Sequence, residues 1–182
     1  MATNLDNRSG RRGNPWRPVI WGTAACLLLL PAVAMRFTAE VDWSAFDFIA
    51  MGALLFGACA AYEVAAWLSR NTAYRAGAGI AIGCGFLLVW VNLAVGIIGS
   101  EDNPANLVYA GVLVVAFVGA ALGRFTAHGM ERAMYAAAIA QTLAAAVALA
   151  LGEFRGSVLS GFFVALWLTA AALFRKGAQS RT

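Results

Sequence analysis

The chain has 182 residues, of which 62% are hydrophobic and only 12% are charged. Its mean hydropathy of +0.74 excludes an ordinary soluble globular domain, because such a domain needs more polar residues to cover its surface. The formal net charge is +4. Nucleic-acid binding is not expected, because the basic residues are divided among separate segments instead of forming one basic face.

Six apolar stretches follow one another along the chain, each near the length of about 20 residues that a transmembrane helix needs. They cover residues 18–35, 46–68, 76–98, 104–125, 133–151 and 157–174. The connectors between them are short, so neighbouring helices are expected to run antiparallel as three hairpins. The prediction is an all-α integral membrane protein, with a six-helix bundle over residues 17–175 and polar tails at 1–16 and 176–182.

The basic residues predict the orientation of this bundle. All but two of the 13 lysines and arginines lie in the tails and in the connectors near Asn71 and His128. The exceptions are Arg36 and Arg155. Because lysine and arginine are enriched on the cytoplasmic side, both termini are expected in the cytoplasm. An even number of helices agrees with termini on the same side.

The first stretch allows two interpretations. It follows several arginines and ends in Leu-Pro-Ala-Val-Ala at residues 30–34, so a basic region precedes an apolar core and an Ala-x-Ala ending. These are the parts of a cleavable signal peptide. The other interpretation is a retained first helix with Pro31 in its last turn, and it is the preferred one.

The second stretch begins with Ser-Ala-Phe-Asp at residues 44–47, which has the spacing of a helix N-terminal capping box. Glu63 lies near the inner end of the same stretch, and ionisable residues inside membrane spans are often functional. One interpretation is an ion pair with Arg70, Arg124 or Arg132. The other is a carboxylate that handles a proton or a cation.

Asn92 in the third stretch and Gln141 in the fifth are the uncharged polar residues that lie deepest in their helices. With Glu63 they could form a polar ladder, as a small proton- or cation-coupled transporter would require. They could equally make separate interhelical hydrogen bonds, each worth about 0.6 kcal/mol. The sequence favours the second interpretation, because a proton relay normally contains more titratable groups.

Small residues at four-residue spacing predict close helix packing. Gly79 and Gly83 have this spacing in the third stretch, and Gly119 and Gly123 repeat it in the fourth. A bundle packed in this way leaves little room for a wide pore.

The predicted outer loop between the third and fourth stretches is the most polar segment of the chain. Asn103 suits a helix N-cap, and Pro104 suits the first helical position, so turn chemistry explains much of the loop. The remaining oxygens could contact a basic residue of a partner or bind Ca²⁺ or Mg²⁺. The candidate contacts are Glu101, Asp102 and Asn106.

The sequence contains no pattern that predicts catalysis, a metal site or a cofactor. Cys26, Cys59 and Cys84 lie inside apolar stretches and are expected to be buried free thiols. His128 is the only histidine, and it lies in a predicted cytoplasmic turn.

Three segments, VWVNLAVGIIGSEDNPANLVY (residues 89–109), GMERAMYAAAIAQ (129–141) and GFFVALWLTAAALFRK (161–176), carry a resemblance. They resemble a family of small, uncharacterised bacterial polytopic inner-membrane proteins over about residues 21–176. The resemblance implies a bacterial inner-membrane location and supplies no activity, cofactor or catalytic residue.

These features favour a non-enzymatic accessory, assembly or interaction subunit of the inner membrane, surrounded by lipid and bound to a membrane-protein partner or to a second copy of the chain. The alternative is a small transporter that uses Glu63, Asn92 and Gln141.

Overall fold

The computed structural model describes residues 17–180, and its regular secondary structure over that range is entirely helical. Six long helices follow in order: α1 (Arg17–Ala34), α2 (Ala45–Leu68), α3 (Thr72–Ala94), α4 (Leu107–Leu122), α5 (Ala127–Ala150) and α6 (Phe154–Gln179). A short 3-10 turn (Pro104–Asn106) precedes α4. Within the described range, six helices are long and apolar enough to cross a membrane, which confirms the predicted number of candidate spans. The predicted amino-terminal tail and residues 181 and 182 lie outside the described residues.

The chain divides into two compact units, the first ending at Glu63 and the second beginning at Val64. The first unit contains α1 and most of α2. The rings of Trp21 and Phe56 meet edge to face, with their centroids 5.4 Å apart. At the start of α2, the Ser44 hydroxyl accepts from the Asp47 backbone N–H (3.3 Å), and Asp47 Oδ2 accepts from the Ser44 backbone N–H (2.8 Å). The predicted capping box is therefore confirmed.

In the second unit, α6 packs against both α5 and α3, and α4 packs against α5. The core between these helices contains large side chains, including Leu88, Tyr109, Phe163, Trp167 and Phe174. Chain neighbours α3 and α4 meet at few positions, because each is packed against a different partner. This arrangement leaves space between α3 and α4 on the side where their connecting loop lies.

Close glycine contacts join α4 to α5. A Cβ atom added to Gly119 would lie 3.0 Å from the Cβ of Ala133, and one added to Gly123 would lie 2.6 Å from the Cα of Gly129. Real Cβ atoms do not approach backbone atoms this closely, so Gly123 permits a helix approach that alanine would prevent. The small-residue packing predicted for Gly119 and Gly123 is confirmed. At Gly83 it is wrong, because no described atom lies within 4 Å of an added Cβ there.

Candidate functional site

The α3–α4 loop, residues 95–106, is organised by the side chain of Asn106. Asn106 Oδ1 accepts hydrogen bonds from the backbone N–H groups of Ile97 (3.1 Å) and Ile98 (2.8 Å). Its Nδ2 donates to the carbonyl oxygens of Ile98 (3.2 Å) and Ser100 (2.7 Å). The side chain is only 9% exposed. Asn106 was predicted as a contact for a partner or a cation, but the loop backbone already uses both of its polar atoms.

The turn chemistry predicted for this loop is confirmed. Asn103 is the N-cap of the 3-10 turn, its side chain accepts from the Ala105 backbone N–H (3.0 Å), and Pro104 follows at the first turn position. Gly96 and Gly99 have φ angles of +71° and +68°, which L side chains rarely adopt. The loop therefore has a defined conformation set by its own residues.

Glu101 and Asp102 lie at the exposed tip of this loop. Neither carboxylate forms an ion pair with any residue from 17 to 180. Asn106 and Asn103 already order the loop backbone. A ligand that binds the two carboxylates therefore does not incur a large entropic cost for ordering the loop. The carboxylates are available to a cationic group.

Beside these carboxylates, a cavity of about 390 Å³ separates α3 from α4, a volume within the range of about 300–1,000 Å³ that is typical of ligand pockets. Its walls are mainly apolar and come from Leu88, Val89 and Leu93 of α3 and from Leu107, Ala110 and Leu113 of α4. Glu101, Asp102 and Asn103 contribute its polar rim. We call this cavity the α3–α4 groove.

Asn92 also lines the α3–α4 groove. Its Nδ2 donates to the Leu88 carbonyl oxygen at 2.7 Å, whereas its Oδ1 is buried and has no hydrogen-bond partner among the described residues. The sequence favoured an interhelical hydrogen bond for Asn92, and this prediction is wrong, because the side chain bonds within its own helix. The alternative placed Asn92 in a transport pathway, and Glu101 and Asp102 were predicted in a contact loop. The structure brings all three to one groove. Leu88 and Asn92 are four residues apart and therefore lie on the same face of α3. This spacing is the sequence feature that places an apolar side chain next to Asn92.

Glu63 belongs to the first unit, where its Oε1 accepts from Trp21 Nε1 at 2.6 Å and forms an ion pair with Arg17 Nε at 2.9 Å. The sequence predicted an arginine partner, but Arg17 was not among the three suggested. The physical reason is that the side chains of Arg17 and Trp21, in the first turns of α1, both reach Glu63 in the last part of α2. Arg17 is well exposed, so this pair is worth at most about 1 kcal/mol.

Gln141 lies in the core of the second unit and is 0% exposed. Neither its Oε1 nor its Nε2 has a hydrogen-bond partner within residues 17–180. Trp167 Nε1 is a second buried donor without a partner in that range. Gln141 does not line the α3–α4 groove, and its unpaired amide carries an uncompensated desolvation cost.

Replacing Gln141 with leucine is expected to raise the free energy of unfolding by about 1 kcal/mol, because an unpaired buried amide costs about 1–3 kcal/mol. Unfolding in mixed detergent micelles measures this change. Thr142→Val, on the next residue, removes a hydroxyl whose hydrogen bond to Ala138 lies within its own helix, and it serves as the control. Destabilisation by Gln141→Leu would show that the amide has a structural partner.

Two of the three cysteines, Cys59 and Cys84, are buried free thiols as predicted, whereas Cys26 is exposed. The prediction for Cys26 is wrong because α1 buries few of its residues, so an apolar position on it need not be a core position. No group of three metal-ligating side chains occurs in the described part of the chain.

The chain was compared with protein-family models, curated proteins and solved structures, and it matches none of them.

Proposed function

We propose that this protein is a multi-pass protein of a bacterial inner membrane that acts by binding and not by catalysis, as an accessory or assembly subunit. The observation that carries the proposal is the pair of unpaired carboxylates, Glu101 and Asp102, held by a preorganised loop at the rim of an apolar groove. Such a site recognises a cationic group joined to an apolar portion.

The proposed topology has three antiparallel hairpins, with both termini in the cytoplasm and the α3–α4 loop on the outer side. The short connectors support the hairpins, and the concentration of arginine in the tails and in the connectors near Asn71 and His128 supports the orientation. The resemblance to small bacterial inner-membrane proteins supports the location.

The carboxylates alone would give weak binding, because an ion pair at an exposed position is worth about 0–1 kcal/mol. Burial of apolar surface contributes about 25 cal/mol per Å², so contact with the leucines of the α3–α4 groove would supply most of the affinity. The carboxylates would then supply selectivity for positive charge.

Co-purification in mild detergent tests this function. We expect a stoichiometric partner to be retained by the unaltered protein and lost from the double variant Glu101→Gln/Asp102→Asn. Glu40→Gln/Asp42→Asn is the matched control, because it removes the same charges from exposed residues of the α1–α2 connector. Equal recovery from both variants, or no partner in several detergents, would contradict the proposal.

A small proton- or cation-coupled transporter is the second candidate. The unpaired Oδ1 of Asn92 and the unpaired amide of Gln141 favour it, because polar atoms without partners are available to a permeating ion or proton. Glu63 would be its proton- or cation-handling carboxylate. Glu63→Gln in sealed vesicles should then abolish proton-dependent flux while the variant remains folded, and unchanged flux would remove this candidate.

A further inference from the structure

We propose that the α3–α4 groove binds one acyl chain of an outer-leaflet phospholipid with a primary-ammonium headgroup, and that Glu101 and Asp102 contact the ammonium. This inference rests on the proposed role of the two carboxylates as a cation site, and it names the source of the cation.

The size of the groove suits a single lipid chain. Its volume of about 390 Å³ lies within the range of about 300–1,000 Å³ that is typical of small-molecule pockets. Near the middle of α4, a Cβ atom at Gly85 would lie 3.5 Å from Leu113 Cδ2. The Leu113 side chain therefore reaches toward α3 and bounds the groove there.

The exposure of the wall residues supports entry from the bilayer. Leu93 and Leu107 line the groove and are 61% and 72% exposed, so the apolar wall continues onto the outer surface of the helices. On a membrane-spanning helix, exposed leucines contact lipid chains. A chain can thus pass from the bilayer into the groove without crossing a polar barrier.

The polar groups of the groove match a primary ammonium. No lysine, arginine or histidine is among the groove residues, and the charged ones are Glu101 and Asp102. An ammonium of the lysine type has a positive charge and three donors. A choline headgroup has the charge but no N–H donor, and a glycerol headgroup has no positive charge.

Native mass spectrometry of the full chain tests the inference. The probes are phosphatidylethanolamine, phosphatidylcholine and phosphatidylglycerol with identical acyl chains. We expect the unaltered protein to retain phosphatidylethanolamine about tenfold more strongly than the other two, which corresponds to about 1.4 kcal/mol. Glu101→Gln/Asp102→Asn should reduce that preference to near unity.

A groove-filling variant supplies the second arm. Ala110→Phe places a ring in the wall of the groove and should abolish retention of all three lipids. Ala121→Phe places the same ring at an exposed position of α4 outside the groove and should bind normally. If Ala110→Phe fails to fold, Ala110→Leu provides the same obstruction with a smaller side chain.

Equal retention of phosphatidylethanolamine and phosphatidylcholine, or unchanged retention by the folded groove-filling variant, would overturn the inference. Loss of a protein partner from the carboxylate variant with no lipid preference would also overturn it, while leaving the proposed function intact. A lipid preference that depends on the carboxylates, without any protein partner, would support the inference and contradict the accessory-subunit role.

Discussion

Replacing Asn106 with alanine should lower the free energy of unfolding by about 3 kcal/mol, because each buried backbone group left without a partner costs about 1–3 kcal/mol. The substitution removes the acceptor of the Ile97 and Ile98 N–H groups and the donor to the Ile98 and Ser100 carbonyls. Part of this cost is recovered when water reaches the loosened loop. The α3–α4 loop should also become sensitive to proteolysis.

Unfolding in mixed micelles and limited proteolysis measure these effects. Asn106→Asp keeps the acceptor and removes the donors, so its loss of stability should be intermediate. Asn92→Ala is the control, because among residues 17–180 the asparagine bonds only to its own helix. Its cost should be about 0.5 kcal/mol, the lower end for a typical hydrogen bond. An Asn106→Ala cost as small as that of the control would contradict the assigned role.

Replacing Gly156 with alanine should lower the free energy of unfolding by about 1–3 kcal/mol, the usual cost of an added methyl group in a tightly packed site. Gly156 lies in the first turn of α6, and its missing Cβ leaves room for the carbonyl oxygen of Ile97. Because this neighbour is backbone, it cannot move away by changing rotamer. Relief of the contact would displace the start of the α3–α4 loop.

Gly161→Ala is the matched control, because it makes the same substitution on the same helix. No atom of the second unit lies within 4 Å of the Cβ position there, so only the gain in helix propensity of about 1 kcal/mol remains. The unfolding temperature should therefore fall in Gly156→Ala and rise in Gly161→Ala. A neutral or stabilising Gly156→Ala would show that α6 does not support the loop as described.

The six helices were predictable because chain length and apolar character dictate them, but their ends were not. The fifth apolar stretch begins at residue 133, whereas α5 begins at Ala127, since the Thr126 side chain accepts from the Gly129 backbone N–H and caps the helix earlier. The third stretch was predicted to reach residue 98, yet α3 ends at Ala94, before Gly96 adopts a positive φ angle.

The candidate site was predictable only in part. The spacing of Asn103 and Pro104 predicted the turn, and the acidic residues marked the loop as a contact region. The groove was not predictable, because it depends on α3 packing against α6 while α4 packs against α5. Local sequence also contains no sign that Asn106 would fold back on Ile97 and Ile98.

Cysteine labelling across the membrane tests most directly whether the groove and its carboxylates face outward. Ser100→Cys and His128→Cys, both at exposed positions, are introduced separately after Cys26, Cys59 and Cys84 have been replaced. In intact cells, an impermeant maleimide should label the variant at position 100 and spare the variant at position 128, while permeabilised cells should label both. Labelling at position 128 with protection at position 100 would contradict the topology and the function proposed from it.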